Sequence, residues 1–104
     1  INQELHAWMR GESPTVNEKH IDRTSSVWLR DYSMDPDAQD CARLAEALGL
    51  LGAKRMVVGH SIHDHIQSAC GEQVWMIDTG MNAGFFGGPT EVLEIKGSTV
   101  RPIR

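Results

Sequence analysis

Three of the chain's five histidines fall within Val57-Val58-Gly59-His60-Ser61-Ile62-His63-Asp64-His65. Imidazole is the commonest metal ligand and titrates near neutrality, so such a cluster points to metal binding or proton transfer. His60 follows a glycine that closes an apolar run. Strand ends are where a rigid scaffold delivers a side chain into a site, and glycine lets a ligand or metal approach the backbone. Two readings stand side by side. His60, Asp64 and His65 could offer three donors, or all are exposed loop residues with no ligand, because the spacing demands no closed zinc site. Ser61 is a poor nucleophile: it sits in no Gly-x-Ser-x-Gly elbow, and neighbouring strand-end residues point apart. Cys70 lacks a basic cradle. The glycines at 80, 84, 87 and 88 match neither a phosphate loop nor a dinucleotide fingerprint, since no Gly-Lys-Ser/Thr follows.

Around these residues the pattern predicts helix, loop, helix, then about four strands, an α/β arrangement. Ile1, Leu5, Trp8 and Met9 are spaced as on a helix over 1–10, with Gly11 as its stop. Residues 12–26, with Pro14, Asn17, Thr24, Ser25 and Ser26, show neither period and predict a mobile surface loop. Val27–Tyr32 reads as an extended segment or a turn. Over 33–52, Asp35 can cap, Pro36 suits the first helical position, and Asp37 and Asp40 complement the helix dipole. Cys41, Leu44, Ala45, Leu48 and Leu51 then form one apolar stripe, ended by Gly49 or Gly52. Strands are predicted over Arg55–Val58 (buried), Val74–Asp78, Glu91–Ile95 and Thr99–Ile103, the last two joined by a turn at Lys96-Gly97. A glycine-rich loop, Thr79–Pro89, separates the second strand from the third.

Composition bounds the function. The chain has 104 residues, Lys+Arg 10 against Asp+Glu 14, and a net charge of −4, with 40% hydrophobic and 23% charged residues. That is ordinary for one folded domain and excludes disorder or a collagen repeat. No apolar run approaches the roughly 20 residues needed to cross a bilayer, so no membrane partner is expected. The acidic balance argues against a nucleic-acid partner, whose backbone is bound by clustered Lys and Arg. Cys41 and Cys70 are too few for a disulfide scaffold; free thiols in a reducing compartment and a single bridge both remain open. The first residue is Ile1, already inside a helical pattern, which reads as the loss of a segment in front.

Several stretches together carry a resemblance: Lys54-Arg55-Met56-Val57-Val58-Gly59-His60-Ser61, Ser68-Ala69-Cys70, Val74-Trp75-Met76-Ile77-Asp78-Thr79-Gly80-Met81, Gly87-Gly88-Pro89 and Val92-Leu93-Glu94-Ile95. In this order they resemble the C-terminal third of a calcineurin-like metallophosphoesterase, in the bacterial phosphoprotein-phosphatase-like group that includes Shewanella-like phosphatases. Val27-Trp28-Leu29-Arg30-Asp31-Tyr32 is similar to that group's Trp-x-Arg segment, so the likeness covers nearly the whole chain.

The resemblance implies one partial domain over 1–104: the C-terminal portion of a two-sheet β-sandwich flanked by helices. It further implies hydrolysis of phosphate monoesters, on phosphoprotein or a small ester, at two divalent cations (manganese, zinc or iron) that share a hydroxide. The family's last metal ligand maps onto His60, with Gly59 keeping the approach clear. Arg30 becomes a candidate phosphate contact through its planar fork, against a surface arginine paired with Asp31 or Asp35. Asn82 becomes a candidate at the rim of the substrate cleft, in a loop whose Phe85 and Phe86 read equally as a packed hinge. Trp28 and Tyr32 read as cleft or as core.

The family's Asp-x-His, Gly-Asp-x-x-Asp-Arg-Gly and Gly-Asn-His motifs are absent from this chain. Where many members carry a second histidine this sequence has Ile62, with His63 one place late. Taken alone the chain is therefore expected to be inactive, a fragment that exposes Val57, Val58, Trp75 and Ile77 and pairs with itself or with a missing N-terminal part. A phosphorylated substrate and a cytoplasmic location are the further expectations. The competing class is a non-catalytic binding or oligomerisation module, in which His60, His63 and His65 take one zinc or none.

Overall fold

The computed structural model describes residues 2–23, 25, 28–84 and 86–104, and the backbone of Lys19. Expectations for Ile1, Thr24, Ser26, Val27 and Phe85 lie outside the described residues. The chain divides into two compact units, Ile1–Arg30 and Asp31–Arg104.

In the first unit, α1 (Asn2–Met9) ends as the sequence predicts, at Gly11, whose φ of +73° lets its amide reach the Trp8 carbonyl at 2.9 Å. Its apolar residues do not make a core: Leu5 is half-buried while Trp8 and Met9 are exposed. Among its described residues, the loop expected over 12–26 is irregular except for a 3₁₀ turn, Glu18–His20, whose His20 ring pairs with the Glu4 carboxylate.

The second unit is organised around α2 (Ala38–Leu51). Asp37, not Asp35, caps it. The Asp37 Oδ1 accepts from the amides of Gln39 (2.7 Å) and Asp40 (2.9 Å), and Asp40 Oδ2 accepts in return from the Asp37 amide at 3.1 Å. This capping box fixes the start two residues later than the sequence suggested, and Pro36 precedes the cap instead of opening the helix. Gly52 closes the other end at φ +63°, with the Ala53 amide on the Leu48 carbonyl at 2.9 Å. Of the predicted stripe, Leu44 and Leu48 are buried and Cys41 half-buried, but Ala45 and Leu51 face out.

Five strands form two small sheets. The first contains β1 (Met56–Val58), β2 (Gln67–Ala69) and β3 (Val74–Met76) in the order β1-β3-β2, parallel between β1 and β3 and antiparallel between β2 and β3. β2 was not predicted. β4 (Val92–Lys96) and β5 (Thr99–Ile103) make an antiparallel hairpin in the register Val92↔Ile103 to Lys96↔Thr99. The turn sits where predicted, with Gly97 at φ +61°.

The pleat decides which face is covered, because alternate residues point to opposite sides. Leu44 and Leu48 pack on Val74 and Met76, with Met56, Val58, Ala69 and Tyr32 around them. The expectation of a fully buried first strand fails at Val57, which is 43% exposed because it points away from that cluster. Of the four residues expected to be exposed, Val57 and Ile77 are; Val58 is half-buried and Trp75 buried. A disulfide joins Cys41 of α2 to Cys70 at the end of β2, resolving the open cysteine question in favour of one bridge. No helix among the described residues is long and apolar enough to cross a membrane.

Candidate functional site

β1 and β3 are parallel neighbours, with Val58 opposite Met76, so both chains leave the sheet at the same edge. His60 and Asp78 each lie two residues past their strand. The carboxyl edge of parallel strands is where open α/β sheets gather functional side chains. Asp78 bridges the two exits. Its Oδ2 accepts from the His60 amide and its Oδ1 from the Gly80 amide, both at 3.0 Å. The Asp78 carbonyl in turn accepts from the His63 amide at 2.9 Å.

His60 is exposed and its backbone is left-handed, φ +68°, a region that non-glycine residues rarely enter. The other two histidines of the cluster are engaged elsewhere. His63 spans two partners: its Nε2–H donates to the Ser33 carbonyl at 2.8 Å, and its Nδ1 accepts from Gln67 Nε2 at 2.8 Å. With both ring nitrogens used, His63 is a tie within the fold. His65 Nδ1 donates to Glu91 Oε1 at 2.7 Å. Ser61, beside His60, bonds through its hydroxyl to Ser33 Oγ at 2.7 Å.

Among the described residues no group of three His, Cys, Asp or Glu side chains could hold a metal ion. The three histidines and Asp64 therefore do not converge on a zinc site. His60 is the histidine of the cluster for which no ring partner is described, and it is exposed. A two-metal centre does not fit within these residues.

The glycine-rich loop is closed at its base. The Gly88 amide reaches the Gly80 carbonyl at 3.0 Å, and Thr79 Oγ1 donates to the Pro89 carbonyl at 2.8 Å. A Cβ on Gly88 would lie 1.7 Å from the Thr79 carbonyl oxygen, so only glycine permits this crossing. Asn82 shapes the tip: its Oδ1 accepts from the Gly84 amide at 2.8 Å, and its carbonyl from the amides of Phe86 and Gly87. Asn82 thus acts as a turn former. Arg30 lies in the first unit, its guanidinium 5.6 Å from the Trp28 ring centroid and bonded to the Trp28 and Leu29 carbonyls. Tyr32 packs on the core, whereas Trp28 is 48% exposed.

Two residues that sequence reasoning passed over hold this region together. Asp78 is one; it stood inside the quoted Ile-Asp-Thr-Gly run, and its equal offset from the strand end was the available signal. Glu91 is the other, with a side chain only 1% exposed. Its Oε2 accepts from the Ile66 amide at 2.8 Å, and its Oε1 from His65 and from Arg104 Nε at 2.8 Å. The Ile66 amide, helped by His65 and Arg104, holds the Glu91 carboxyl below the usual carboxylate range even though burial opposes this.

No family model matches the chain, and no solved structure matches it. Among curated proteins, Shewanella-like protein phosphatase 2 of Arabidopsis thaliana is 39% identical over 101 residues, which is 92% of this chain and 26% of that protein. The chain thus spans about a quarter of the length of that relative.

Proposed function

We propose that this chain is the C-terminal part of a metal-dependent phosphatase that hydrolyses phosphate monoesters on protein or on small molecules. It brings His60 as one donor to a pair of divalent cations (manganese, zinc or iron) whose other donors lie outside it. The observation that carries the reading is the identity to a protein named as a phosphatase, extending through both strand exits that meet at Asp78. Two such cations, when bound, would supply a hydroxide and neutralise phosphate charge. This chain's own part is to hold the His60 imidazole at the sheet edge and to carry Asn82 as a substrate contact.

Packing supports a piece of a larger fold. Val57 and Ile77 are exposed large hydrophobic residues on one face of the first sheet. By the same reading the chain alone does not turn over phosphate esters.

The test is His60→Ala in the full-length protein, with metal content and phosphate release from a phosphopeptide measured together. Loss of metal and a fall in turnover of at least ~100-fold are expected, since even residues outside the ligand set typically cost 10–100-fold. Full metal content with unchanged turnover would remove His60 from the site.

A further inference from the structure

We propose that Asp78 is a positioning residue: by holding the His60 amide it keeps that backbone left-handed and so sets the direction of the imidazole. The inference rests on the reading of His60 as a metal donor, but its geometry stands apart from any metal.

Three observations lead to it. The His60 φ of +68° lies in the left-handed region, which a residue bearing a Cβ occupies uncommonly. The hydrogen-bond acceptor found for the His60 amide is Asp78 Oδ2, at 3.0 Å. The second oxygen of the same carboxylate is fixed on the Gly80 amide, itself at φ +59°, so the group cannot swing away without releasing both exits. A carboxylate has an oxygen for each amide, whereas a carboxamide has only one. Rotating φ at residue 60 would swing the Cα–Cβ bond and carry the ring away from the sheet edge.

Asp78→Asn in this chain tests the backbone claim without metal. The expected result is loss of the positive-φ signature at His60, read by amide–Hα coupling and Cα/Cβ shifts. His60 amide exchange should be at least ~10-fold faster, with the Leu44 and Val74 amides unchanged. Asp78→Glu, which keeps the charge but displaces the oxygens, should do the same if Asp78→Asn disturbs the core. A His60→Gly background adds a check that a merely structural carboxylate would not pass: glycine enters this φ freely, so Asp78→Asn should lower Tm less there than in the wild-type chain. Additive Tm losses, or an unchanged His60 signature in both Asp78 variants, overturn the proposal.

The second readout is Mn2+ titration of the metal-stripped full-length protein, where Asp78→Asn should weaken binding by roughly 10–100-fold. If His60→Ala leaves Mn2+ uptake intact, the donor reading fails while the backbone result still decides the role of Asp78. If His60→Ala abolishes uptake but Asp78→Asn alters neither uptake nor the His60 signature, the positioning role fails alone.

Discussion

At the scale of single residues, the second unit depends on carboxylates that face backbone amides more than on exposed ion pairs. Asp78 and Asp37 each hold two amides, and Glu91 holds the Ile66 amide together with His65 and Arg104. By contrast, the Arg101–Glu94 pair is an exposed rim contact at 2.7 Å, of a kind that contributes little. Glu91 has a definite pH signature. Its folded carboxyl titrates below its ordinary value of 4.5, so its contribution is fully present above that value and is lost as pH falls through the folded pKa. Asp37 shifts in the same direction from 3.8, with the Asp40 and Gln39 amides as the cause. The comparison of wild type with Glu91→Gln isolates the first group. Urea midpoints should differ most near neutral pH, and the gap should close as the solution is acidified below about 4.5. A gap that stays constant across that range would mean that Glu91 acts through packing alone.

At the scale of elements, the disulfide joins the helix that forms most readily to the sheet that is hardest to read. Cys41 and Cys70 are 29 residues apart, and closing a loop of that length removes about 3.5 kcal/mol of chain entropy from the unfolded state. Cys41→Ser should lower stability by roughly that amount in urea titrations, reductant should do the same to the wild type, and neither should add to the other. Bridges of this kind persist where the surroundings are oxidising, so thiol labelling of protein isolated without reductant also bears on the cytoplasmic expectation. α2 was legible because its signals are local: Asp37 with Asp40 three residues on, a stripe through Leu44 and Leu48, and Gly52. Choosing Asp35 as the cap missed the reciprocal bond that only Asp37 can make with Asp40. β2 was not legible, since Gln67-Ser68-Ala69 has no apolar alternation and is a strand because β3 lies beside it. The exposure of Val57 was equally hidden, because Val57-Val58 reads the same whether one face or both are covered. His60 could be picked out from its place after Val58-Gly59, but its left-handed backbone and the carboxylate behind it come from a strand exit 18 residues away.

At the scale of the whole second unit, α2 covers one side of the first sheet, and on the other side, among the described residues, Val57 and Ile77 are exposed while Trp75 is buried. A groove of about 310 Å3 runs between Val57, Ile66, Ile77, Met81, Val92 and Ile95. Five of these six are exposed large hydrophobics: Val57 43%, Ile77 37%, Met81 53%, Val92 53% and Ile95 50%. Scattered apolar residues on a surface need no explanation, but a contiguous set of this kind marks a contact surface. On the proposed function, a segment corresponding to the remaining three-quarters of the relative would provide a cover. Without a cover the chain should bury the groove against a second copy, so its sedimentation coefficient should rise with concentration. Val57→Lys with Ile77→Lys places two like charges on the open face, away from Leu44, Leu48, Val74 and Met76. The double variant should sediment as a monomer while keeping the α2 circular dichroism signal. On the proposed function, the remainder of a longer parent protein added in trans should also suppress self-association of the wild-type chain, and should not bind the lysine variant. If the wild-type chain is a single, cooperatively melting monomer at every concentration, the open face is stable in water and neither self-pairing nor a missing cover is needed to explain it.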